Sequence, residues 1–150
     1  MLELDPTDAA HQCQCGAALG QLEQFDRAMQ RLWIEADLAP DCDRPRVEIA
    51  VVLGNAERRK EALDHIVCVV ANLKEPTDFA SHTLGRLRRL NGKHRDARDA
   101  LKRALALNPT HAYAVMDALW ACEDLGDKPG VRRYTKRARE LGVADPSAVG

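Results

Sequence analysis

Apolar residues recur along this chain at helical spacing, in segments separated by short polar or proline-containing connections. No segment alternates apolar and polar residues as a half-buried strand does. The pattern therefore predicts an all-α protein whose helices follow one another in pairs. The eight predicted helices span residues 8–21, 24–38, 44–56, 59–74, 77–91, 94–107, 111–124 and 128–141.

Residues at the predicted helix ends support these ranges. Gly92 and Gly126 fit the left-handed position that ends a helix before a tight turn, and Pro45 fits a first helical turn. Side-chain oxygens that can accept hydrogen bonds from free backbone N–H groups precede several segments. These candidate N-caps are Asp8, Thr77, Asp78 and Thr110.

Small and apolar residues also recur with a longer period, of about 34 residues. One column holds Gly16, Ala50, Gly85 and Leu119, and a second holds Ala28, Ala62, Ala97 and Val131. Prolines close the successive units at Pro40, Pro76, Pro109 and Pro146. A fixed period of this length is typical of stacked helical repeats, in which each unit packs on its neighbours and the stack presents one long surface.

The period and the residues that carry it resemble the tetratricopeptide repeat (TPR) family. The match is best where Leu84, Gly85, Gly92, Ala97, Ala104, Leu107 and Pro109 take the family's positions. The chain departs from the family at the aromatic of the first helix, where it has Gln12, Arg46, Ser81 and Val115. The resemblance implies a right-handed superhelical array of antiparallel helix pairs, an α-solenoid. Its repeats cover about residues 9–42, 43–77, 78–111 and 112–145, and residues 1–8 resemble the end of a preceding repeat.

The resemblance also implies a binding surface, because in this family one face of each first helix lines a concave groove. Carried over by position, the groove residues are Val47, Val51, Phe79, His82, Arg86, Arg89, Tyr113, Met116, Trp120 and Glu123. We expect a cationic strip beside an aromatic shelf, which suits a peptide or helical segment with an acidic residue near a large apolar one. The alternative is that Tyr113 and Trp120 only pack against the last helix.

Two of the second helices differ in their polarity. Residues 62–73 are apolar nearly all round, which predicts burial on several sides. The last helix carries one apolar stripe and is otherwise rich in Arg and Lys, as a terminal unit of an array requires. The stripe consists of Val131, Tyr134, Ala138 and Leu141.

Charge is divided unevenly along the chain, although the net charge is only −1. Residues 1–75 hold 8 Lys and Arg against 14 Asp and Glu, and residues 76–150 hold 14 against 9. The asymmetry indicates either solvated helix faces or a polarised surface that orients a charged partner or a second copy. A pI near 6.5 argues against a nucleic-acid partner, despite a basic run over residues 86–103.

Candidate chemistry is sparse, so we expect neither catalysis nor a metal or other cofactor. His11, Cys13 and Cys15 do not converge on one helix face as zinc ligands must, and we expect them to pack in the core. Cys68 and Cys122 fall on apolar helix faces, where cysteine acts as a small hydrophobe. There is no glycine-rich phosphate loop.

The odd number of cysteines and the lack of a signal peptide or a long apolar run favour a cytoplasmic protein without a membrane span.

These observations favour a protein–protein interaction module that binds a partner segment in its groove. Two alternatives remain open at the level of sequence. In the first, the chain is a regulatory or substrate-presenting region cut from a larger enzyme. In the second, it is a scaffold that associates with itself through the ends of the stack. As an interaction module, the chain is expected to be a monomer or a weak homo-oligomer.

Overall fold

The computed structural model describes residues 17–143, and the side chains of residues 23–143. Within that part of the chain the backbone forms helices and no strands. The helices are α1 (Ala17–Leu38), α2 (Arg44–Asn55), α3 (Arg59–Ala71), α4 (Asp78–Leu90), α5 (His94–Leu107), α6 (Ala112–Leu125) and α7 (Lys128–Glu140). The all-α class is therefore confirmed, and the six helices after residue 43 begin and end within three residues of their predicted bounds.

The beginning of the described chain departs from the prediction. α1 runs without interruption over Ala17–Leu38, so the turn predicted between residues 21 and 24 does not form. Gln21, Glu23 and Gln24 are good helix formers, and neither glycine nor proline stands among them. The N-cap predicted at Asp8, and the core packing predicted for residues 11–15, lie outside the described residues.

The helix ends follow the predicted chemistry except at two candidate N-caps, Asp78 and Thr110. Asp78 is the first residue of α4 and not its cap. Thr77 caps α4, since its hydroxyl oxygen accepts a hydrogen bond from the Ala80 amide at 3.1 Å. Thr110 was expected to cap α6, but the N-cap is His111, whose Nδ1 accepts from the Ala114 amide at 3.2 Å. An imidazole nitrogen can replace a hydroxyl oxygen here because only an acceptor within reach of the free N–H group is required.

Two glycines make the predicted tight turns possible. Gly92 follows α4 with φ of 79°, and Gly126 follows α6 with φ of 71°. Backbone in this left-handed region is strained for residues that have a Cβ atom. The turns return the chain at once, so that α4 pairs with α5 and α6 with α7.

The helices form two layers. In the inner layer α2 packs directly on α4 and α4 on α6, whereas α1, α3, α5 and α7 of the outer layer make no comparable contact with one another. Because the inner helices are closer together, the array curves with α2, α4 and α6 on its concave side. This arrangement is the helical repeat array that the sequence period predicts.

The small-residue columns are positions of close helix approach. A Cβ atom placed on Gly85 would lie 2.6 Å from Cγ of Leu101 and 3.2 Å from the carbonyl oxygen of Ala97. Ala97 and Leu101 are themselves fully buried. The predicted approach of Gly85 to Ala97 across the third helix pair is thus confirmed, and Leu101 fills the space that the missing side chain leaves.

The outer helices confirm one expectation and correct another. On α7, Tyr134 and Ala138 of the predicted stripe are buried against the core. On α3, by contrast, Val67, Cys68 and Ala71 are exposed, so the prediction that this segment is buried on several sides was wrong. An apolar helix face is buried only where another helix packs against it, and no helix of the described chain covers this face.

Candidate functional site

The concave side of the array contains an apolar cavity between α2 and α4, which we call the concave cavity. Its volume is about 150 Å³. The lining residues are Val51, Gly54, Asn55, Phe79, His82, Thr83, Arg86, Leu87, Leu90 and Tyr113. Five of the ten predicted groove residues, on three different helices, therefore meet at one opening.

Close approach of two helices produces the floor of this cavity. A Cβ atom on Gly54 would lie 2.9 Å from Cδ2 of Leu87, so the lack of a side chain lets α2 approach α4. The hydroxyl of Thr83 donates to the carbonyl oxygen of Phe79 at 2.8 Å. The only hydroxyl in the lining beside that of Tyr113 is therefore already bonded, and the interior of the cavity is predominantly apolar.

The rim of the cavity carries side chains that are free to contact a partner. Arg86 is exposed, and its guanidinium forms no hydrogen bond or ion pair with any described residue. Tyr113 is 75% exposed, with its ring edge-on to His111 at 6.5 Å between centroids. An unpaired guanidinium and an accessible aromatic ring are both common in binding hot spots.

A buried carboxylate next to the cavity changes the role of Arg89. Asp117 on α6 is 4% exposed. Its Oδ2 lies 2.7 Å from Nε2 of His82, and its Oδ1 accepts from Nη2 of Arg89 at 3.1 Å. Buried charges are retained when they are paired, so Arg89 is committed to Asp117. The expected cationic strip is thus reduced to Arg86.

Asp117 does not stand out in the sequence by spacing, because its partners are 28 and 35 residues away. The available signal is its position within α6, where it follows Met116 and precedes Ala118 in an otherwise apolar stretch. A carboxylate at such a position must find a buried donor. The partners themselves follow only from the packing of α4 against α6.

Trp120 contacts Arg89, one of the two partners of Asp117. The guanidinium of Arg89 sits over its ring at 5.1 Å from the centroid, in the geometry of a cation–π contact. The ring is half-buried. Trp120 therefore supports Arg89 on one face and offers a partner less surface than the predicted aromatic shelf implies.

The other predicted groove residues divide between core and surface. Val47 is fully buried and Met116 is nearly so, because both turn toward the packing interface of their helices. They belong to the core and are removed from the candidate surface. Glu123 is exposed near the far end of α6, away from the lining of the cavity.

His111 links the N-cap of α6 to the buried group formed by His82, Arg89 and Asp117. Its ring centroid is 4.7 Å from that of His82. Burial lowers the pKa of His111 below its usual value of 6.5, and the neighbouring His82 acts in the same direction. A neutral imidazole is also what the cap requires, since Nδ1 accepts a hydrogen bond from the Ala114 amide.

The described part of the chain offers neither a cluster of metal ligands nor a helix suited to span a membrane. No group of three or more His, Cys, Asp or Glu side chains there could hold a metal ion. None of its helices combines the length and the apolar character needed to cross a membrane.

Solved structures of MamA, a TPR-like helical repeat protein, share this fold. A crystal structure of MamA matches with a TM-score of 0.68 at 17% identity, over 93% of this chain and 76% of the other. The MamA RS-1 ArsTM double mutant matches with a TM-score of 0.67 at 20% identity, over 92% and 77%. MamA MSR-1 matches with a TM-score of 0.62 at 21% identity, over 93% and 80%.

No protein-family model matches the chain, and no curated protein matches it in sequence. At these levels of identity, the likeness to MamA establishes the helical repeat fold and leaves the binding chemistry to the residues of this chain.

Proposed function

We propose that this chain is a protein-interaction module that holds a segment of a partner protein against its concave side. The observation that carries the proposal is the concave cavity, which opens between an unpaired Arg86 and an exposed Tyr113. The fold supports it, because a stack of helix pairs presents one long, preformed surface. Docking of an extended or helical segment on such a surface requires little rearrangement of the module.

The chemistry of the opening defines the partner segment. A cavity of about 150 Å³ is of the size that accepts a benzene ring, so one medium-sized apolar side chain fills it. A carboxylate a few positions away pairs with Arg86, and an apolar or aromatic group packs on Tyr113. The segment is therefore acidic and carries at least one apolar residue that fits the cavity, and only one of its carboxylates forms an ion pair, with Arg86.

We infer that the module acts by binding rather than by catalysis. The His82–Asp117 pair is the closest approach to a catalytic arrangement on the concave side. Both oxygens of Asp117 are engaged, one by His82 and one by Arg89. The pair is buried at a helix interface, where it stabilises the packing of α4 on α6.

The test compares partner affinity among surface variants. The immobilised chain captures proteins from an extract of its source cells, and the binding segment of each is mapped on overlapping peptides. We expect Arg86→Ala and Tyr113→Ala each to weaken binding of that segment at least about fivefold. Arg95→Ala is the matched control, because Arg95 is exposed on α5 and has no ion-pair partner in the described chain. The proposal would be refuted if the wild type and all three variants bound every mapped segment with equal affinity.

Self-association is a second candidate, favoured by the opposite net charges of the two halves of the chain. Contacts between an acidic half and a basic half are strengthened at low salt. Light scattering at several protein concentrations, in about 20 mM and about 300 mM salt, distinguishes the two candidates. Mass that rises with concentration at low salt only supports association between copies, and a constant monomer mass excludes it.

A further inference from the structure

A second cavity lies between the outer helices α1 and α3, and we call it the α1–α3 trench. It has a volume of about 770 Å³. Its lining residues are Trp33, Pro40, Asp41, Asp43, Arg46, His65, Cys68, Val69, Asn72, Leu73, Lys74, Glu75 and Thr77. None of them lines the concave cavity, so the two surfaces can be altered independently.

The walls of the trench carry apolar side chains that the described chain leaves uncovered. Trp33 on α1 lines the trench and is 46% exposed. On α3, Val67 precedes the lining residue Cys68 and is 43% exposed. Cys68 and Ala71 continue the exposed face of α3. Soluble proteins rarely leave adjoining large apolar side chains in water, and such a patch with a polar rim marks an interaction site.

Directional contacts hold the floor of the trench in place. The guanidinium of Arg46 donates to the backbone carbonyl oxygens of Ala36, Pro40 and Cys42 at 3.0 to 3.3 Å. His65 bonds through Nε2 to the carbonyl oxygen of Arg46 at 2.9 Å. The loop after α1 is thereby tied to α2 and α3, and the trench exists before a partner arrives.

His65 also orients the aromatic wall. The ring of Trp33 meets it edge-on, with 5.8 Å between centroids. This contact covers one side of the indole and leaves another side open to the trench. A large aromatic side chain held in a fixed position is well suited to anchor a partner, because little side-chain entropy remains to be lost.

The rim of the trench is negative. Asp41, Asp43 and Glu75 line it, and Asp41 and Glu75 have no ion-pair partner among the described residues. The two cations in the lining are Lys74 and Arg46, whose N–H donors are engaged by backbone carbonyls, so the three carboxylates outnumber the cations. Asp37 and Asp64 extend the rim, since each is exposed and lies four residues from Trp33 or Cys68 on its own helix.

From this combination we propose that the α1–α3 trench binds a basic amphipathic segment of a partner protein. One large apolar side chain of that segment packs between Trp33 and the exposed face of α3, and Lys or Arg side chains pair with Asp41 and Glu75. The proposal is independent of the concave cavity, which has the opposite charge preference.

Charge argues against the chain itself as the occupant. Residues 1–16 contain three carboxylates and neither Lys nor Arg, and residues 144–150 contain one carboxylate and no cation. The basic helix α7 of a second copy also fits poorly. Its apolar stripe, with Tyr134 and Ala138, is already buried in its own core, so it would bring charge without an apolar anchor.

The probe is a displayed library of random 16-residue peptides, selected on the whole chain. Enriched peptides are synthesised with a fluorescent label and titrated by anisotropy. We expect enrichment of peptides that combine Lys or Arg with a large apolar residue. Trp33→Ala should weaken these peptides at least about tenfold, and the double variant Asp41→Lys, Glu75→Lys should weaken them further as salt is lowered.

Matched controls separate the trench from general charge and hydrophobicity. Ile34→Ala removes an exposed apolar side chain from α1 outside the trench, and Asp99→Lys reverses an exposed charge on α5. Both should leave peptide affinity unchanged. Cys68→Asn offers a second disruption of the apolar wall without a new charge, should Trp33→Ala alter thermal unfolding.

Three results would overturn the proposal. The first is that no enriched peptide combines Lys or Arg with a large apolar residue. The second is affinity that is insensitive to Trp33→Ala and Cys68→Asn but lost in Arg86→Ala, which would assign the peptides to the concave cavity. The third is a concentration-dependent dimer that Trp33→Ala abolishes, which would make a second copy the occupant.

Discussion

Arg89 on α4 and Asp117 on α6 form an ion pair across the inner layer, with 3.1 Å between Nη2 and Oδ1 and side-chain exposures of 18% and 6%. The pair joins two first helices one repeat apart. Its charges are compensated within the fold, so it contributes to the packing of the array and withdraws a cation from the concave side.

Removal of Asp117 should destabilise the fold, because it would leave Arg89 partly buried without its counter-charge and His82 without its acceptor. We expect Asp117→Ala to lower the free energy of unfolding by about 3 kcal/mol or more. Urea denaturation measures the change. Asp99→Ala, at an exposed site on α5, should change it by less than about 0.5 kcal/mol, and a similarly small effect at Asp117 would contradict the structural role given to the pair.

Gly85 should tolerate no large side chain. Its Cβ position is 2.6 Å from Cγ of Leu101, so Gly85→Leu forces Leu101 away from a fully buried site and should cost about 1–3 kcal/mol of stability. The measurement is the denaturant midpoint. Ala106→Leu, on the exposed side of α5, adds the same side chain to the surface and should leave the midpoint nearly unchanged.

Stability should fall as the pH drops below about 6.5. The pKa of His111 is lowered in the folded chain, so the unfolded chain binds the proton first as the pH falls. The contribution is complete above the unfolded pKa and is lost as the pH falls through the folded one. Urea midpoints between pH 7.5 and pH 5 measure this loss.

A matched variant isolates the titration of His111. His111→Asn retains a capping side chain and does not titrate in this range, so its midpoint should depend less on pH than that of the wild type. Carboxyl groups with lowered pKa, such as Asp78 beside Asn108, lose their contribution only at more acidic pH. Identical pH dependence in both proteins would show that another group is responsible.

Substitution of Tyr113 should weaken partner binding without destabilising the fold. Its side chain is exposed at the rim of the concave cavity, so Tyr113→Ala should change the free energy of unfolding by less than about 0.5 kcal/mol. As a hot spot it should cost about 2 kcal/mol of partner affinity. Thermal unfolding and calorimetric titration with the mapped segment give the two numbers. A loss of stability as large as the loss of affinity would place Tyr113 in the packing of α6 instead.

Local sequence signals predicted most of the fold. Gly92 and Gly126 mark turns because their backbone conformation excludes most other residues, and Thr77 marks a helix start because of its capping oxygen. Residues 21–24 of the unbroken helix α1 carry no such signal: none of them requires a turn, and none of them excludes one. Whether good helix formers bend at a repeat boundary is decided by what packs beside them, and that contact is not encoded in the residues of the boundary.

The candidate site was predictable only in part, for a related reason. The helical period places Val51, Phe79, His82, Arg86 and Tyr113 on one side of the array, and the structure brings these five together. Asp117 was not predicted as part of the site, because its partners lie 28 and 35 residues away in sequence.

The exposed face of α3 shows the same limit. Its residues read as buried by composition alone, and the number of neighbouring helices determines what is covered. Pairwise and tertiary contacts of this kind lie beyond any single-helix pattern.

The close approach of Gly54 to Leu87 should give the array an uneven stiffness. Between α4 and α6 the spacing is fixed by directional bonds to a buried carboxylate, and these break if the helices slide. Around Gly54 the packing of α2 on α4 is apolar, with Leu87 next to the glycine, and apolar contacts tolerate small shear at less cost than directional bonds do. We therefore expect bending of the solenoid to concentrate at the junction of α2 and α4, where each bend would alter the width of the concave cavity.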